Sequence, residues 1–181
     1  MKEAQDGEIA NANCAYIAPG GRQMKLEPGP LGEIVIRITD DAPENHCRPA
    51  VDYLFRSAAL HFPGRSIAAI LTGMGSDGTI GLRMLKRGGC VSIAQDEASS
   101  VVFGMPKEAI QAGLVDHTAP LDMIASAIVR SLRGTGAGSN CTRCARYQGA
   151  LTDSAPSRSV IREADAPAHV HPYVNYADTV E

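Results

Sequence analysis

Long apolar runs are missing from this 181-residue chain. The best uninterrupted one is Ile67-Ala68-Ala69-Ile70-Leu71, against the ~20 residues that a membrane-crossing helix needs. No membrane insertion is expected. The polar start, Met1-Lys2-Glu3-Ala4-Gln5-Asp6-Gly7-Glu8, lacks the basic and apolar regions of a secretory signal, and a cytoplasmic protein is expected. Charge of one sign is not concentrated anywhere either: 17 Lys and Arg stand against 20 Asp and Glu, a net charge of -3. With its basic residues scattered, the chain offers no nucleic-acid footprint. Cysteine is sparse and odd in number, five in all. Cys14, Cys47 and Cys90 are isolated, which suits reduced thiols better than a disulfide framework. Also absent is the G-x-S-x-G elbow that presents a nucleophilic serine in many α/β hydrolases.

What is present suits one ordinary domain, with 44% hydrophobic and 20% charged residues. The first part reads as β: a run at Cys14 to Ala18, a turn at Pro19-Gly20-Gly21, a short strand at Gln23 to Leu26, and a third run after Pro28-Gly29-Pro30. In that third run Ile34, Ile36 and Ile38 alternate with Val35, Arg37 and Thr39, the period of a half-buried strand. An antiparallel edge is expected there. Pro49 is placed to open a helix whose Val51, Leu54, Phe55 and Ala58 share one face. Strands and helices then alternate: β over Ser66 to Leu71, a helix over about Thr79 to Arg87 ended by Gly88-Gly89, and β over Cys90 to Gln95. A linker at Asp96 to Ser100 precedes a helix opened by Pro106 and closed by Gly113. A strand at Leu114-Val115 follows, and a last helix carries Leu121, Ile124, Ala125, Ile128 and Leu132 as its core-facing stripe.

This order predicts an α/β fold with a doubly wound, mostly parallel sheet in three α/β/α layers. The folded part is expected to end near Arg133. Residues 134–181 show no sustained period and read as a disordered tail. Within it Cys141-Thr142-Arg143-Cys144, His169 and His171 could offer four zinc ligands. A single C-x-x-C at long spacing from its histidines, without apolar residues to wrap the site, argues against a metal, and no cofactor is expected.

The loop Gly73-Met74-Gly75-Ser76-Asp77-Gly78 leaves a strand and enters a helix, where open α/β sheets bind ligands. Three readings compete for it. It satisfies G-x-G-x-x-G, and Asp96 lies at the end of the next strand as a ribose-binding acid would. Against a dinucleotide, Asp77 would face the pyrophosphate with like charge. The plainest reading is a tight turn with Asp77 capping the following helix. The third reading makes Asp77 a catalytic acid. Ser76, Ser99, Ser100, His46, His61 and His117 show no diagnostic spacing that would complete a triad around it. Cys47, between His46 and Arg48, is a second candidate nucleophile, with a cysteine tolerated in a loop as the simpler account.

Three segments decide among these. Ala15 to Met24, Arg48 to Ala59, and Ile70 to Glu108 with its Leu71-Thr72-Gly73-Met74-Gly75-Ser76-Asp77-Gly78 and Gln95-Asp96-Glu97-Ala98-Ser99-Ser100 closely resemble the catalytic domain of the chemotaxis protein-glutamate methylesterases, from about Lys2 to Arg133. The resemblance implies serine-hydrolase chemistry with a Ser-His-Asp triad, acting on glutamate methyl esters of methylated chemoreceptors and on receptor glutamines. Asp77 matches the triad aspartate, and Met74, Gly75 and Arg48 match the substrate-binding rim. The family's serine and histidine lie upstream of the segment matching Lys2 to Glu8, so the resemblance implies a domain without its first strands and helices, an incomplete triad and an inactive fragment. Gln23 and Cys47 stand where relatives often have histidine, and Ala50 where they often have serine. An exposed sheet edge implies self-association. A non-catalytic receptor-binding relic and a dinucleotide-binding domain are the alternatives.

Overall fold

The alternating isoleucines form β4 (Ile34–Thr39), in which Ile36 and Ile38 are buried. It pairs antiparallel with β3 (Gln23–Pro28), in a register that sets Met24 opposite Ile38 and Leu26 opposite Ile36. The computed structural model describes residues 1–134. In it this ribbon is a two-stranded sheet of its own, and a second short parallel pair, β1 (Lys2–Glu3) with β2 (Tyr16–Ile17), lies before it. Ala4, Met24, Ile36 and Ile38 close a small core, to which Leu54 of helix α1 (Val51–His61) contributes. Through Phe55, Ala58 and Ala59 the same helix joins the main core.

That core is built on a three-stranded parallel sheet, β5 (Ile67–Ile70), β6 (Val91–Gln95) and β7 (His117–Ala119), in the order β5-β6-β7. Side chains alternate between faces along each strand. Ala68 and Ile70 meet Leu82 and Leu85 of α2 (Thr79–Arg87) and Ala109 of α3 (Met105–Gln111). Ile67, Ala69 and Ile93 meet Ile124, Ala127 and Ile128 of α4 (Leu121–Gly134) on the other face. Three layers result, as the β-α-β-α-β order requires.

Three sequence expectations shift. Pro49 stands before the helix rather than opening it; Ala50 is the N-cap, and a cis peptide bond joins Arg48 to Pro49. The strand expected at Leu114-Val115 lies at His117–Ala119. Leu114 instead fills the main core while its N–H bonds to the carbonyl of Ala109, and pairing with β6 begins only at Ile93 opposite His117. His117 and Thr118 are exposed on this outer strand, so it carries no hydrophobic signal. In α4 the buried positions are Ile124 and Ala127, whereas Leu121 and Leu132 are 53% and 59% exposed and Ala125 is exposed. The core-facing stripe is therefore rotated from the one expected, because α4 covers the sheet on one side only.

Helices α1 and α2 approach so closely that Gly81 has no room for a side chain. A Cβ there would sit 2.5 Å from Cβ of Phe55 and 3.1 Å from the carbonyl oxygen of Asp52, both anchored in α1. Gly81→Ala should lower stability, since overpacking costs about 1–3 kcal/mol and exceeds the gain of up to ~1 kcal/mol in helix propensity. Gly20, where an added methyl group would have nothing within 4 Å, is the control. Urea unfolding checks this, and equal midpoints for Gly81→Ala and Gly20→Ala would refute the close contact.

Candidate active site

Ile70 ends β5, and the chain turns through Gly75 (φ 84°) and Gly78 (φ 90°) into α2. Both angles lie where only glycine sits without strain. The loop is fastened to the segment after β6. The N–H of Thr72 donates to Oε1 of the fully buried Gln95 (2.8 Å), and the N–H of Gly73 to the carbonyl of Val102 (3.0 Å). In return the Gly73 carbonyl accepts the N–H groups of Gly104 (3.1 Å) and Met105 (2.8 Å). A Cβ on Gly104 would come within 2.6 Å of that carbonyl, so only glycine permits the seam. Two loops at the carboxyl ends of adjacent strands thus act as one piece.

Asp77 is buried in this piece, 5% exposed. It does not cap the helix that follows it. The N-cap of α2 is Gly78, without a side-chain bond, and the Asp77 carboxylate reaches across to α1. Its Oδ2 accepts the N–H of Val51 at 2.7 Å and its Oδ1 the N–H of Asp52 at 3.0 Å. The next amide outward, that of Ala50, donates to Oε1 of the buried Gln23 at 2.9 Å. Three amides at the start of α1, which lack partners within the helix, are satisfied by side chains from two distant strands' ends. The reverse contact exists as well: Oδ1 of Asp52, 1% exposed, accepts the N–H of Gly81 in the first turn of α2 at 2.7 Å, and its Oδ2 accepts Nδ2 of Asn45 at 3.1 Å. Burial pushes the Asp52 carboxyl up from its ordinary value of 3.8, the Gly81 amide and Asn45 pull it down, and the nearby charge of Asp77 raises it further.

The other expected residues fall as follows. Met74 and Gly75 share the Asp77 loop and are exposed, Met74 at 85%. Leu71, Val101 and Val102, all exposed, extend this apolar rim on the two fastened loops. Arg48 precedes the cis bond into α1 and sends Nη1 toward the carbonyls of Asp40 and Asp41, each at 3.4 Å. Asp96 is engaged within its own turn, accepting from the N–H (3.0 Å) and hydroxyl (2.6 Å) of Ser99. Ser99 also accepts the N–H of Leu121, and the Ser100 hydroxyl donates to the Asp96 carbonyl. His46 and Cys47 belong to a tight turn closed by paired backbone bonds between Glu44 and Cys47, His61 ends α1, and His117 is on β7. Among the described residues no hydrogen bond joins a histidine to Asp77 or to a serine, and no group of three metal-ligating side chains occurs. Cys141, Cys144, His169 and His171 lie outside the described residues. Sequence reasoning missed Asp52, Asn45 and the role of Gln23; a carboxylate beside the apolar positions Val51 and Leu54 was the available signal.

Asp77 is thus a buried carboxylate on the loop after a strand of an open parallel α/β layer. The family described as CheB methylesterase matches residues 1–128, and this chain belongs to it. It is 54% identical over 134 residues to a protein-glutamate methylesterase/protein-glutamine glutaminase of Desulfotalea psychrophila, covering 74% of this chain and 37% of that protein. A protein of the same description from Halalkalibacterium halodurans is 50% identical over 134 residues, covering 74% and 38%. The crystal structure of the Thermotoga maritima CheB methylesterase catalytic domain superposes with a TM-score of 0.69 at 38% identity, covering 71% of this chain and 67% of that one. The chain thus spans little more than a third of the length of these full-length relatives.

Two outcomes follow from the carboxylates. Asp77→Asn turns an acceptor into an amide donor facing an N–H, and should cost about 1–3 kcal/mol of stability, measured by urea unfolding; an unchanged midpoint would exclude the bonds to Val51 and Asp52. For Asp52 the sign of the pH dependence is set by its raised carboxyl value. The folded state holds this proton more tightly, so the group is least costly below the ordinary 3.8 and that advantage is lost as pH rises through the folded value. Asp52→Asn should therefore gain stability relative to the parent protein as pH rises toward neutrality. A difference that stays flat with pH would contradict it.

Proposed function

We propose that this chain supplies the acid and the rim of a protein-glutamate methylesterase site, with Asp77 as the triad aspartate. The observation that carries the reading is the way Asp77 is held. A carboxylate has about four lone-pair positions, and the two amides of α1 occupy two. The remainder can accept the ring N–H of a histidine, fixing its tautomer and stabilising the imidazolium that forms when it takes a proton from serine. Serine then attacks the ester carbonyl, methanol leaves with that proton, and water releases the glutamate carboxylate and restores the serine. The same cycle on a glutamine side chain releases ammonia.

No histidine among the described residues bonds to Asp77, so in this proposal serine and histidine come from outside residues 1–134. In this reading residues 1–133 form the catalytic-domain part, while the tail expected over 134–181 lies, but for its first residue, outside the described residues. Methylated chemoreceptors are the partner, met in the cytoplasm by the apolar rim of Met74, Val101 and Val102 together with Gly75 and Arg48. No helix among the described residues is long and apolar enough to cross a membrane. The strands β5 and β7 each have one unpaired side within the described sheet, and self-association through such an edge is the expected side effect.

The test is methanol release from membranes carrying methylated chemoreceptors. The chain alone should release no more than its Asp77→Asn variant. A chimera with residues 1–133 in place of the matching part of the Thermotoga maritima catalytic domain should release methanol, and Asp77→Asn within it should lower the rate by about 10³ to 10⁴. A folded chimera indifferent to that substitution would remove Asp77 from the mechanism. Release by the chain alone would show that serine and histidine are found within it.

A further inference from the structure

Asp52 and Asp77 are linked in a closed ring. The backbone N–H of Asp52 donates to Asp77, the side chain of Asp52 accepts the N–H of Gly81, and only the backbone from Asp77 to Gly81 completes the circuit. One residue of α1 is therefore both donor to the loop and acceptor from the helix after it. We propose that Asp52 is the positioning residue for Asp77: by holding the first turn of α2 against α1, it keeps the Asp77 carboxylate at the amides of Val51 and Asp52. This inference rests on the catalytic reading of Asp77 for its meaning, but not for its geometry.

Three features make the ring specific rather than incidental. The loop from Asp77 to Gly81 has Gly78 at a positive φ of 90°, and a Cβ there would lie 2.8 Å from Cγ1 of Val51. Its own conformation thus does not fix its distance from α1; contact with α1 does. Gly81 has no side chain to hold the helices apart, so the Asp52 bond sets their approach at that turn. Asn45, in the left-handed conformation at φ 50°, holds the second oxygen of Asp52 and so fixes its rotamer. Removing Asp52 leaves the amides of α1 still facing Asp77 but nothing polar to draw the start of α2 inward.

The test is native-state amide hydrogen exchange by NMR on the full 181-residue chain, which reads the ring whether or not ester is cleaved. In Asp52→Ala the protection of the Val51 amide should fall about tenfold, the loss of roughly one hydrogen bond. The amides of Ile93 and Ala94 in β6 should keep theirs. Asp52→Asn retains an oxygen for the Gly81 N–H and should restore Val51 to within about threefold of the parent. Asn45→Ala, which disturbs only the second oxygen, should speed exchange at both Gly81 and Val51 and carries the test if Asp52→Ala does not fold. Unchanged protection at Val51 in Asp52→Ala and Asn45→Ala, or a loss at Val51 merely in step with Ile93, would overturn the proposal. Failure of the methanol assay with the exchange result intact would remove the catalytic meaning and leave the positioning.

Discussion

Two helix N-termini meet beneath the glycine loop, and each is met by a carboxylate carried by the other's segment: Asp77, at the entrance to α2, on the first amides of α1, and Asp52, in α1, on the first turn of α2. Burying a carboxylate carries an effective penalty of several kcal/mol. Here both accept N–H groups at the starts of helices, bonds that offset part of that penalty. The repulsion between the two acids works against them, and together with burial it outweighs the bonds for Asp52, whose carboxyl is pushed up. The arrangement holds because the amides would otherwise be buried without partners, which costs about 1–3 kcal/mol for each. Much else depends on it. An 11-residue helix such as α1 is marginal by itself, and its start is where the ribbon β3–β4, the loop at Asn45 and the parallel sheet are joined.

The second constraint is the seam between the two loops at the carboxyl ends of β5 and β6. Gly73 gives and receives backbone bonds there, and Gln95, on the last residue of β6, holds Thr72 from one side and the turn at Ser99 from the other. The loop that carries Asp77 is therefore restrained at both ends, by the seam near Gly73 and by α1 at its far end. What stays exposed between the restraints is the tip, Met74, Gly75 and Ser76. A base restrained in this way carries an exposed apolar tip without depending on the tip for its own position.

The strands and helices that follow one another locally were legible in the sequence. The alternation of Ile34, Ile36 and Ile38, the limits of α2 and the β-α-β order all express periods of two or 3.6 residues, which the chain cannot hide. The strand β7 was misplaced because its His117 and Thr118 face solvent at the sheet's outer side and carry no apolar period. The stripe on α4 was rotated because more positions of that helix are apolar than one sheet face can cover, so periodicity alone could not choose among them. At the site, the strand-loop-helix placement of Asp77 was legible from glycine spacing. Its actual bonds were not. Val51 lies 26 residues from Asp77, and no local pattern states that a carboxylate will cap a helix other than its own.

That non-local cap bears on how a buried carboxylate can be held in place. An aspartate capping its own helix would be held by the turn in which it lies, and any movement of that turn would carry the carboxylate with it. Asp77 is instead braced against a separate element, and α1 is braced in turn by Gln23 from the ribbon and by the contact with α2. Displacing the acid would require the amides of Val51 and Asp52 to lose their partner and, through Asp52, the start of α2 to part from α1. These changes are coupled, so the carboxylate is held by the packing of two helices rather than by the stiffness of one loop. A carboxylate held in this way needs no rearrangement to keep its position. This bracing also gives Gln23, buried beside the apolar Met24, Ile36 and Ile38, a physical reason to be polar: its oxygen accepts the N–H of Ala50 at the start of the helix to which Asp77 is bonded.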